Sequence, residues 1–566
     1  MMEFTLSTSD IDTSSMSLPS PRSLAFLFPH FGHDLSPGLG SPKEASHSLN
    51  ASPQGLGGNG QLDAIDYTSQ LWNTDTFWED YLRPSPMSLN LSISDDASQA
   101  IPQIPQDRED EAERIANLFY EQTCHTLTMD EDPEQNPWKN LIWPLAKDHP
   151  AVYHAIAAMT CFGMSTQQTQ LQLEGTRQVH RSTQLLAENV GKGEIALDAA
   201  LAATLALGFA ETWDDQNTTG GANHIRAGGI LLQQILINRG STVLYDEEEA
   251  RINFLAHTWT YMDVLGRFTC SDLSQPYGNI PNPDLSHFSQ TRSFLDPLMG
   301  YSTTFFLIMR RVADLINKVR ARETNRNSPA IISQAIEIRR AIEQWTLPID
   351  LETIDDPSQT MIDAIQTAEA YRWSALMMLY QAVPELPNLT SYGELAQKIL
   401  VYLATIPLSS TTIIAHIFPL MVAGCDAVEE EDRQFVRERW AAMAARMVPS
   451  LIDRCIKVTE ELWKRREEYL FKRGLAFTSN GVRINAASNE AVALSKDIAS
   501  FIDLGTKTAE RDGRGRKGND FPISAAFRKG VDMLTRSGCT EYTVRGRLHW
   551  LGVMRDWDWQ GRVSLL

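Results

Sequence analysis

Apolar residues recur every three or four positions through most of the chain from about residue 107 onwards. This spacing is typical of amphipathic helices, in which one apolar face packs against neighbours while charged residues face water. In the first such stretch, Arg108 to Glu111 give a charged start and Ile115, Leu118 and Phe119 form the apolar face. Further helices are predicted at Gln167 to Val190, Ile195 to Thr212, Glu247 to Phe268, Tyr301 to Arg322, Ala330 to Trp345, Thr360 to Gln381, Ser391 to Thr405 and Arg433 to Tyr469.

No stretch alternates apolar and polar residues in the way that favours a β-strand. Pairs of predicted helices are joined by short polar turns, which indicates that neighbouring helices run antiparallel. The sequence therefore predicts an all-α fold, a large antiparallel helical array, over residues 106–566. Within this array, the polar stretch at about 474–520 is expected to be rich in loops, and the apolar run Ile195 to Ala210 is expected to be a deeply buried helix.

The stretch from Ile417 to Arg433 predicts a tight connection between two packed helices. Pro419 fits near the start of a helix because it lacks a backbone donor, and Gly424 lets a neighbouring helix come close. Asp426 and the acids after it suit the positive N-terminal end of a second helix. For that second helix we expect an inner face of Val436, Trp440, Met443 and Met447, and outer faces that carry Arg433, Arg437 and Arg439.

Residues 1–105 are rich in Ser, Pro, Gly, Asn and Leu and have no helical period. Such a composition cannot bury enough apolar surface to fold, so we expect a disordered N-terminal arm. Within it, residues 63–82 alternate acids with aromatic and aliphatic residues, as activation segments that dock into a coactivator's groove do. The alternative is that this segment anchors itself on the helical body. Its expected contact residues are Asp66, Tyr67, Leu71, Trp72, Phe77, Trp78 and Tyr81.

The net charge of −21 argues against DNA binding by the chain as a whole, because DNA is itself a polyanion. The six cysteines are scattered and no CxxC pair occurs. The sequence therefore predicts neither a disulfide framework nor a metal or other cofactor. The most apolar run, residues 195–210, is shorter than the roughly 20 residues that a membrane span needs, so no membrane contact is expected.

Two groups of polar residues are candidates for binding. His224 and Arg226 begin an apolar helix after a glycine-rich loop, where they either hold a small anionic effector or serve packing. A basic run in the loop-rich stretch is either a nuclear localisation signal or a solvated loop. Its residues are Lys507, Arg511, Arg514, Arg516 and Lys517.

Several blocks of the chain, in their order and spacing, resemble the fungal-specific transcription factor domain. They are Asn136 to Ala157 (NPWKNLIWPLAKDHPAVYHAIA), Asn223 to Leu232 (NHIRAGGILL), Ala370 to Pro387 (AYRWSALMMLYQAVPELP), Ile417 to Arg433 (IFPLMVAGCDAVEEEDR) and Trp550 to Leu566. The resemblance implies an all-α regulatory domain that acts in the nucleus and controls transcription. Together with the acidic-aromatic segment at 63–82, it predicts an activator of a metabolic or secondary-metabolite pathway whose partners are the transcription machinery or a coactivator. No HExxH, GxSxG or Walker A motif occurs, so no enzymatic activity is expected.

Members of that family usually begin with a compact run of six cysteines that holds two zinc ions and places a helix in the major groove of DNA. Here no cysteine precedes Cys124, so this module is expected to be missing. DNA contact then depends on a zinc cluster encoded upstream or on a partner. A homodimer or a heterodimer with a zinc-cluster regulator is the expected assembly.

Two other classes of protein remain as alternatives. A large acidic all-α chain also suits a Mg²⁺-dependent terpene synthase, whose metal sites need acidic residues clustered on one helix face. The best acidic pairs, Asp214-Asp215 and Asp355-Asp356, do not continue into DDxxD and are expected in turns. The other alternative is a scaffold or repressor that pairs with zinc-cluster regulators without activating transcription.

Overall fold

The computed structural model describes residues 107–559 except for 131, 165–168, 216–220, 240–245, 275–282, 284–294, 323–325, 350–356, 388–389, 473–474, 479–480 and 485–539. The N-terminal arm, its acidic-aromatic segment and the basic run Lys507 to Lys517 all lie outside the described residues. What is predicted for them therefore stays a prediction.

The described chain is a succession of helices, and consecutive helices pack against each other. This confirms the predicted all-α array. In chain order the helices are α1 (Asp107–Glu121), α2 (Leu145–Asp148), α3 (Pro150–Gly163), α4 (Thr169–Val190), α5 (Leu197–Trp213), α6 (Ala222–Arg239), α7 (Asp246–Thr269), α8 (Thr303–Arg320), α9 (Pro329–Gln344), α10 (Gln359–Ala382), α11 (Tyr392–Ala404), α12 (Ile417–Gly424), α13 (Glu430–Ala444), α14 (Pro449–Lys472) and α15 (Trp550–Asp556).

Helix α5 is the centre of the array. Every residue from Ala199 to Ala210 is buried, because small alanines allow helices α3, α4, α6, α7 and α14 to contact α5 from several sides. The predicted deeply buried helix is thereby confirmed. Among the helices of the described residues, none combines the length and the apolar character that a bilayer crossing requires.

Helix α6 comes close to α7 through two adjacent glycines. A Cβ atom on Gly229 would lie 2.9 Å from the indole ring of Trp259, and one on Gly228 would lie 3.1 Å from it. The same indole donates a hydrogen bond from Nε1 to the carbonyl oxygen of Ile225, at 2.8 Å. The glycine pair in the NHIRAGGILL block therefore has a packing role: it makes room for a buried tryptophan.

The long helix predicted from Arg433 to Tyr469 is wrong, because two helices occupy this range. Helix α13 ends at Ala444, and α14 begins at Pro449. Pro449 lacks a backbone N–H and disfavours helical geometry in the residue before it, so a helix cannot run through it undisturbed. Met447 and Val448 continue the apolar spacing across the break because both pack against the core. The helix boundary is therefore not visible in the pattern of apolar residues.

A β-hairpin follows α14 at the start of the stretch that the sequence predicts to be loop-rich. Strand β1 (Leu475–Thr478) pairs antiparallel with β2 (Gly481–Ile484), with Leu475 opposite Ile484. The hairpin corrects the expectation that no strand occurs in this stretch. The Asn-Gly pair at 480–481 is a general turn signal in the sequence at this place, although Gly481 itself belongs to β2.

Residues 540–559, here called the C-terminal segment, return to the helical body. The segment contains a 3₁₀ turn (Thr540–Tyr542) and helix α15, which packs against α14. Trp550 is completely buried. The segment thus brings polar groups close to α10 and α14. Arg466 on α14 also contacts the connection between α12 and α13.

Candidate functional site

The predicted effector residues His224 and Arg226 lie in the first turns of α6 but contact different parts of the structure. His224 is buried, and its Nε2 lies 3.1 Å from the carboxylate of Glu211 on α5. Arg226 donates a hydrogen bond to the carbonyl oxygen of Asp272. The choice between an effector role and a packing role for these two residues stays a prediction.

An apolar cavity lies between α5, α7 and α14. Its volume is about 20 Å³, and Phe209, Trp213, Tyr261 and Leu451 are among its lining residues. This volume corresponds to about one water molecule. The cavity as it stands is too small to hold an organic effector.

The connection between α12 and α13 is built by close helix contact, as its sequence predicts. A Cβ atom on Gly424 would lie 2.8 Å from Cγ1 of Val436, so α13 could not come as near if the residue were larger. The carbonyl oxygen of Gly424 accepts a hydrogen bond from the indole Nε1 of Trp463, at 2.9 Å. Helices α12, α13 and α14 therefore meet at this glycine.

Asp426, two residues after this glycine, forms an almost fully buried ion pair with Arg466 on α14. Nη1 of Arg466 lies 2.8 Å from the Asp426 carboxylate and also donates to the carbonyl oxygen of Cys425, at 3.0 Å. Its Nε donates to the carbonyl oxygen of Leu548 in the C-terminal segment, at 3.0 Å. Burial alone lowers the pKa of Arg466, but the neighbouring Asp426 carboxylate outweighs this and raises that pKa.

A chain of hydrogen bonds extends from this ion pair to His549. The amide of Gln381 on α10 donates to the second carboxylate oxygen of Asp426, at 3.1 Å. Nδ1 of His549 accepts from the backbone N–H of Leu551, at 3.1 Å, so its Nε2 carries the proton and donates to the oxygen of Gln381, at 3.0 Å. Burial, together with the cations Arg466 and Arg320, holds the pKa of His549 well below its usual value. The imidazole is therefore neutral.

A second buried histidine, His416, precedes α12. The hydroxyl of Thr367 donates to the carbonyl oxygen of Asp363, so Nε2 of His416 must donate to that hydroxyl, 3.1 Å away. Burial and the nearby Arg439 guanidinium lower the pKa of His416 to about 3. Like His549, it is a neutral donor in the core.

The expectation that Arg439 lies on an outer face is wrong, because its side chain is buried. Its guanidinium donates to the carbonyl oxygens of Leu403 and of Ile406, the latter at 2.5 Å. Leu403 lies in the last turn of α11, and Ile406 lies two residues beyond its end. Basic side chains commonly donate to carbonyl oxygens at a helix C-terminus. Arg439 therefore serves as a C-terminal cap for a different helix, which its position on an amphipathic wheel cannot reveal.

The cysteines near this network lack nucleophilic character. Cys425 and Cys455 are buried, and burial raises the pKa of both thiols, that of Cys455 to about 12. A thiol that stays protonated is a poor nucleophile and a poor metal ligand. Both side chains act as small apolar groups in the core.

The acidic residues that the terpene-synthase alternative would need for Mg²⁺ do not form a metal site among the described residues. Asp214 follows the end of α5 and accepts a hydrogen bond from Gln172, at 2.5 Å, while Asp215 pairs with Arg454, at 3.2 Å. The pair Asp355-Asp356 lies outside the described residues. Within the described ranges, no group of three or more His, Cys, Asp and Glu side chains is arranged to hold a metal ion.

Sequence reasoning identified Asp426 only as a helix-start acid and missed Gln381 and His549 altogether. Gln381 is 168 positions away from His549 in the sequence and sits among apolar residues of α10. A contact between residues so far apart leaves no periodic pattern. The available sequence signal was a polar residue within each of two otherwise apolar stretches.

Comparison with known protein families gives a match over most of the helical body. The model of the fungal specific transcription factor domain matches residues 114–497, which is more than half of the chain and runs from α1 past the β-hairpin. No curated protein and no solved structure matches the chain. The resemblance that the sequence blocks indicated is thereby confirmed.

Proposed function

Since the chain belongs to the fungal specific transcription factor domain family, we propose that its helical body is the regulatory part of a nuclear transcription activator. The match over residues 114–497 carries this proposal, because it covers the helices that share one buried core. A role in transcription regulation follows from the family itself. The activating role, the target genes in a metabolic or secondary-metabolite pathway and the means of DNA contact are what we add.

We propose that the acidic-aromatic segment at 63–82 recruits a coactivator. Its acids keep aromatic side chains in water, and those side chains bury themselves when they enter an apolar groove on a partner. Trp72, Phe77 and Trp78 are the anchors we expect, because large aromatic residues contribute most to such interfaces. The transcription machinery supplies the partner.

We further propose that DNA is contacted by a zinc cluster outside the helical body, or by a zinc-cluster regulator that dimerises with this chain. The net charge of −21 supports this division of labour, because the chain as a whole repels a polyanion. Several buried charges of the described fold hold helices together: Asp426 pairs with Arg466, and Arg439 donates to main-chain carbonyls. A regulatory function without catalysis suits such a body.

The proposal is tested by fusing the full chain to an unrelated DNA-binding domain and measuring a reporter gene. We expect activation by the fusion and by residues 1–105 alone. Replacing Trp72, Phe77 and Trp78 with alanine should reduce activation about tenfold or more, because each anchor contributes on the order of 1–2 kcal/mol.

A matched variant in the same arm, with Ser88, Ser92 and Ser94 replaced by alanine, should activate like the wild type. If neither fusion activates, the activator role is wrong and the scaffold or repressor alternative takes its place. If the intact chain is excluded from nuclei, every regulatory role proposed here fails.

A further inference from the structure

The C-terminal segment lies outside the matched range 114–497 yet is buried as deeply as the helices inside it. Six of its side chains are less than 2 % exposed, an extent expected for a core element and not for a tail. They are Val544, His549, Trp550, Leu551, Val553 and Met554. In sequence, residues 485–539 separate this segment from the β-hairpin.

Hydrogen bonds to the backbone of the segment come from two helices of the body. The N–H of Val544 donates to the carbonyl oxygen of Gln381 at the end of α10, at 3.2 Å. The carbonyl oxygen of Leu548 accepts from Arg466 on α14, at 3.0 Å. Both contacts use main-chain groups of the segment, as peptide-binding proteins commonly do with their ligands.

Side chains of the segment also contact the helical body. The neutral His549 donates to Gln381, and the Arg466 guanidinium lies 5.2 Å from the centre of the Tyr542 ring. Around the buried centre, charged groups form a rim: Arg465 lies 2.7 Å from Asp556, and Arg545 donates to Asn327, at 3.1 Å. A buried aromatic centre with a polar rim is the arrangement found where two separate chains bind each other.

We propose that the surface formed by α10 and α14 is a peptide-docking site, and that its ligand is the C-terminal segment of the same chain. The groove recognises the segment through Trp550, His549 and the two backbone contacts, independently of the connection through residues 485–539. The folded regulatory body therefore extends beyond the range that the family model matches, and it is completed by a peptide.

The test uses the full chain with a protease recognition sequence, flanked by Gly-Ser linkers, inserted between residues 513 and 514, and with an affinity tag at the C-terminus. After cleavage under native conditions, the tagged fragment should elute with the helical body in size-exclusion chromatography. A synthetic peptide of residues 540–559 in large excess should displace the fragment, and a scrambled peptide should not.

Trp550→Ala in the cleavable chain should reduce the retained fraction at least tenfold. Trp557→Ala is the matched control, because Trp557 is a tryptophan of the same segment that is only partly buried; this variant should retain the fragment. Since Trp550→Ala could impair folding before cleavage, the peptide competition on the wild-type cleavable chain provides a separate measurement.

Release of the fragment from the cleaved wild-type chain overturns the proposal, whether the remaining body keeps its helical circular dichroism or unfolds. Failure of the excess peptide to displace the fragment also overturns it. Light scattering of the uncut chain decides the source of the ligand: a monomer supports docking within one chain, whereas a dimer that exchanges tagged fragments shows that the groove takes the segment of a second copy.

Discussion

At the scale of single residues, the body depends on charges that are buried with partners already in place. Asp426 follows α12 and receives hydrogen bonds from Arg466 on α14 and from Gln381 on α10. Breaking a buried pair on one side leaves the other charge without compensation, which costs far more than the pair contributes as a whole. Substitutions at these residues are therefore expected to lower the free energy of unfolding.

Asp426→Ala should lower the free energy of unfolding by about 3–5 kcal/mol, because Arg466 would keep a buried charge without its carboxylate. The measurement is chemical denaturation followed by circular dichroism. Replacing both partners, Asp426→Ala with Arg466→Leu, should recover part of that loss.

Arg177→Ala is the control for this series, because Arg177 forms a pair with Glu174 while its own side chain is 73 % exposed. We expect its unfolding curve to overlay that of the wild type. A loss for Asp426→Ala no larger than that for Arg177→Ala would contradict the importance of the buried pair.

The buried His416 predicts how stability depends on pH. Its pKa is about 3 in the folded chain, against roughly 6.5 for an unperturbed histidine. The imidazole is neutral in the folded chain, so above pH 6.5 His416 does not lower the free energy of unfolding. Below pH 6.5 the unfolded chain binds a proton at this histidine and the folded chain does not, so the free energy of unfolding decreases as pH falls. Between pH 7.5 and pH 5 this amounts to about 2 kcal/mol of lost stability.

His416→Gln should reduce the pH-dependent loss of stability over this window by about 2 kcal/mol, since glutamine keeps a donor for Thr367 and does not titrate. The buried His549 keeps its own contribution to the slope. His180→Gln, at an exposed position of α4, should leave the slope unchanged. Equal slopes for wild type and His416→Gln would show that His416 is not the neutral, buried group described here.

At the scale of helices, contacts between neighbours are set by small residues at the crossing points. Gly424 makes room for Val436 where α12 meets α13, and Gly229 makes room for Trp259 where α6 meets α7. A larger side chain would push two helices apart, and close-packed interiors do not adjust freely. Helix order in the array follows the sequence, whereas helix spacing depends on these positions.

Gly424→Ala should destabilise the chain by roughly 1–3 kcal/mol, because the added methyl group would lie 2.8 Å from Cγ1 of Val436. Combining it with Val436→Ala should cost less than the sum of the two single changes, since the smaller neighbour removes the clash. Thermal unfolding of the four proteins in this cycle gives the coupling.

Gly393→Ala in α11 is the matched control, because the nearest atom to its added Cβ is Oγ of Ser391, 4.0 Å away. It should leave stability unchanged or raise it slightly, since alanine favours helix over glycine. Additive losses at Gly424 and Val436 would show that the close contact does not limit the packing of α12 and α13.

At the scale of the whole molecule, the chain carries a net charge of −21, and its basic run lies outside the described residues. We predict that replacing Lys507, Arg511, Arg514, Arg516 and Lys517 with glutamine shifts a fluorescently tagged chain from the nucleus towards the cytoplasm. Import receptors recognise such runs through their positive charge, so removing that charge should weaken import. Fluorescence microscopy gives the nuclear-to-cytoplasmic ratio.

Two acids within the same run provide the control. Glu510→Gln with Asp512→Asn alters the same part of the chain but leaves its positive charges intact, so the tagged protein should stay nuclear or become more so. An unchanged nuclear-to-cytoplasmic ratio after removal of all five basic residues would assign import to another part of the chain.

The sequence by itself determined the class of fold, most helix boundaries, the buried helix α5 and the family. It did so because helical period, capping residues and prolines act over a few neighbouring positions, which the linear chain displays. At Pro449 two local signals conflict: the proline ends a helix, whereas the apolar Met447 and Val448 continue the helical period. The period therefore predicted one long helix where two occur.

The tertiary structure alone decided which polar residues are buried together. Arg439 reaches the end of α11, and His549 reaches Gln381, because folding brings distant segments side by side. Burial then determines the charge state of His549 and His416, and an ion pair such as Asp426 with Arg466 persists in the core only because its partners converge there. Such convergence depends on three-dimensional distance, and no spacing along the chain records it.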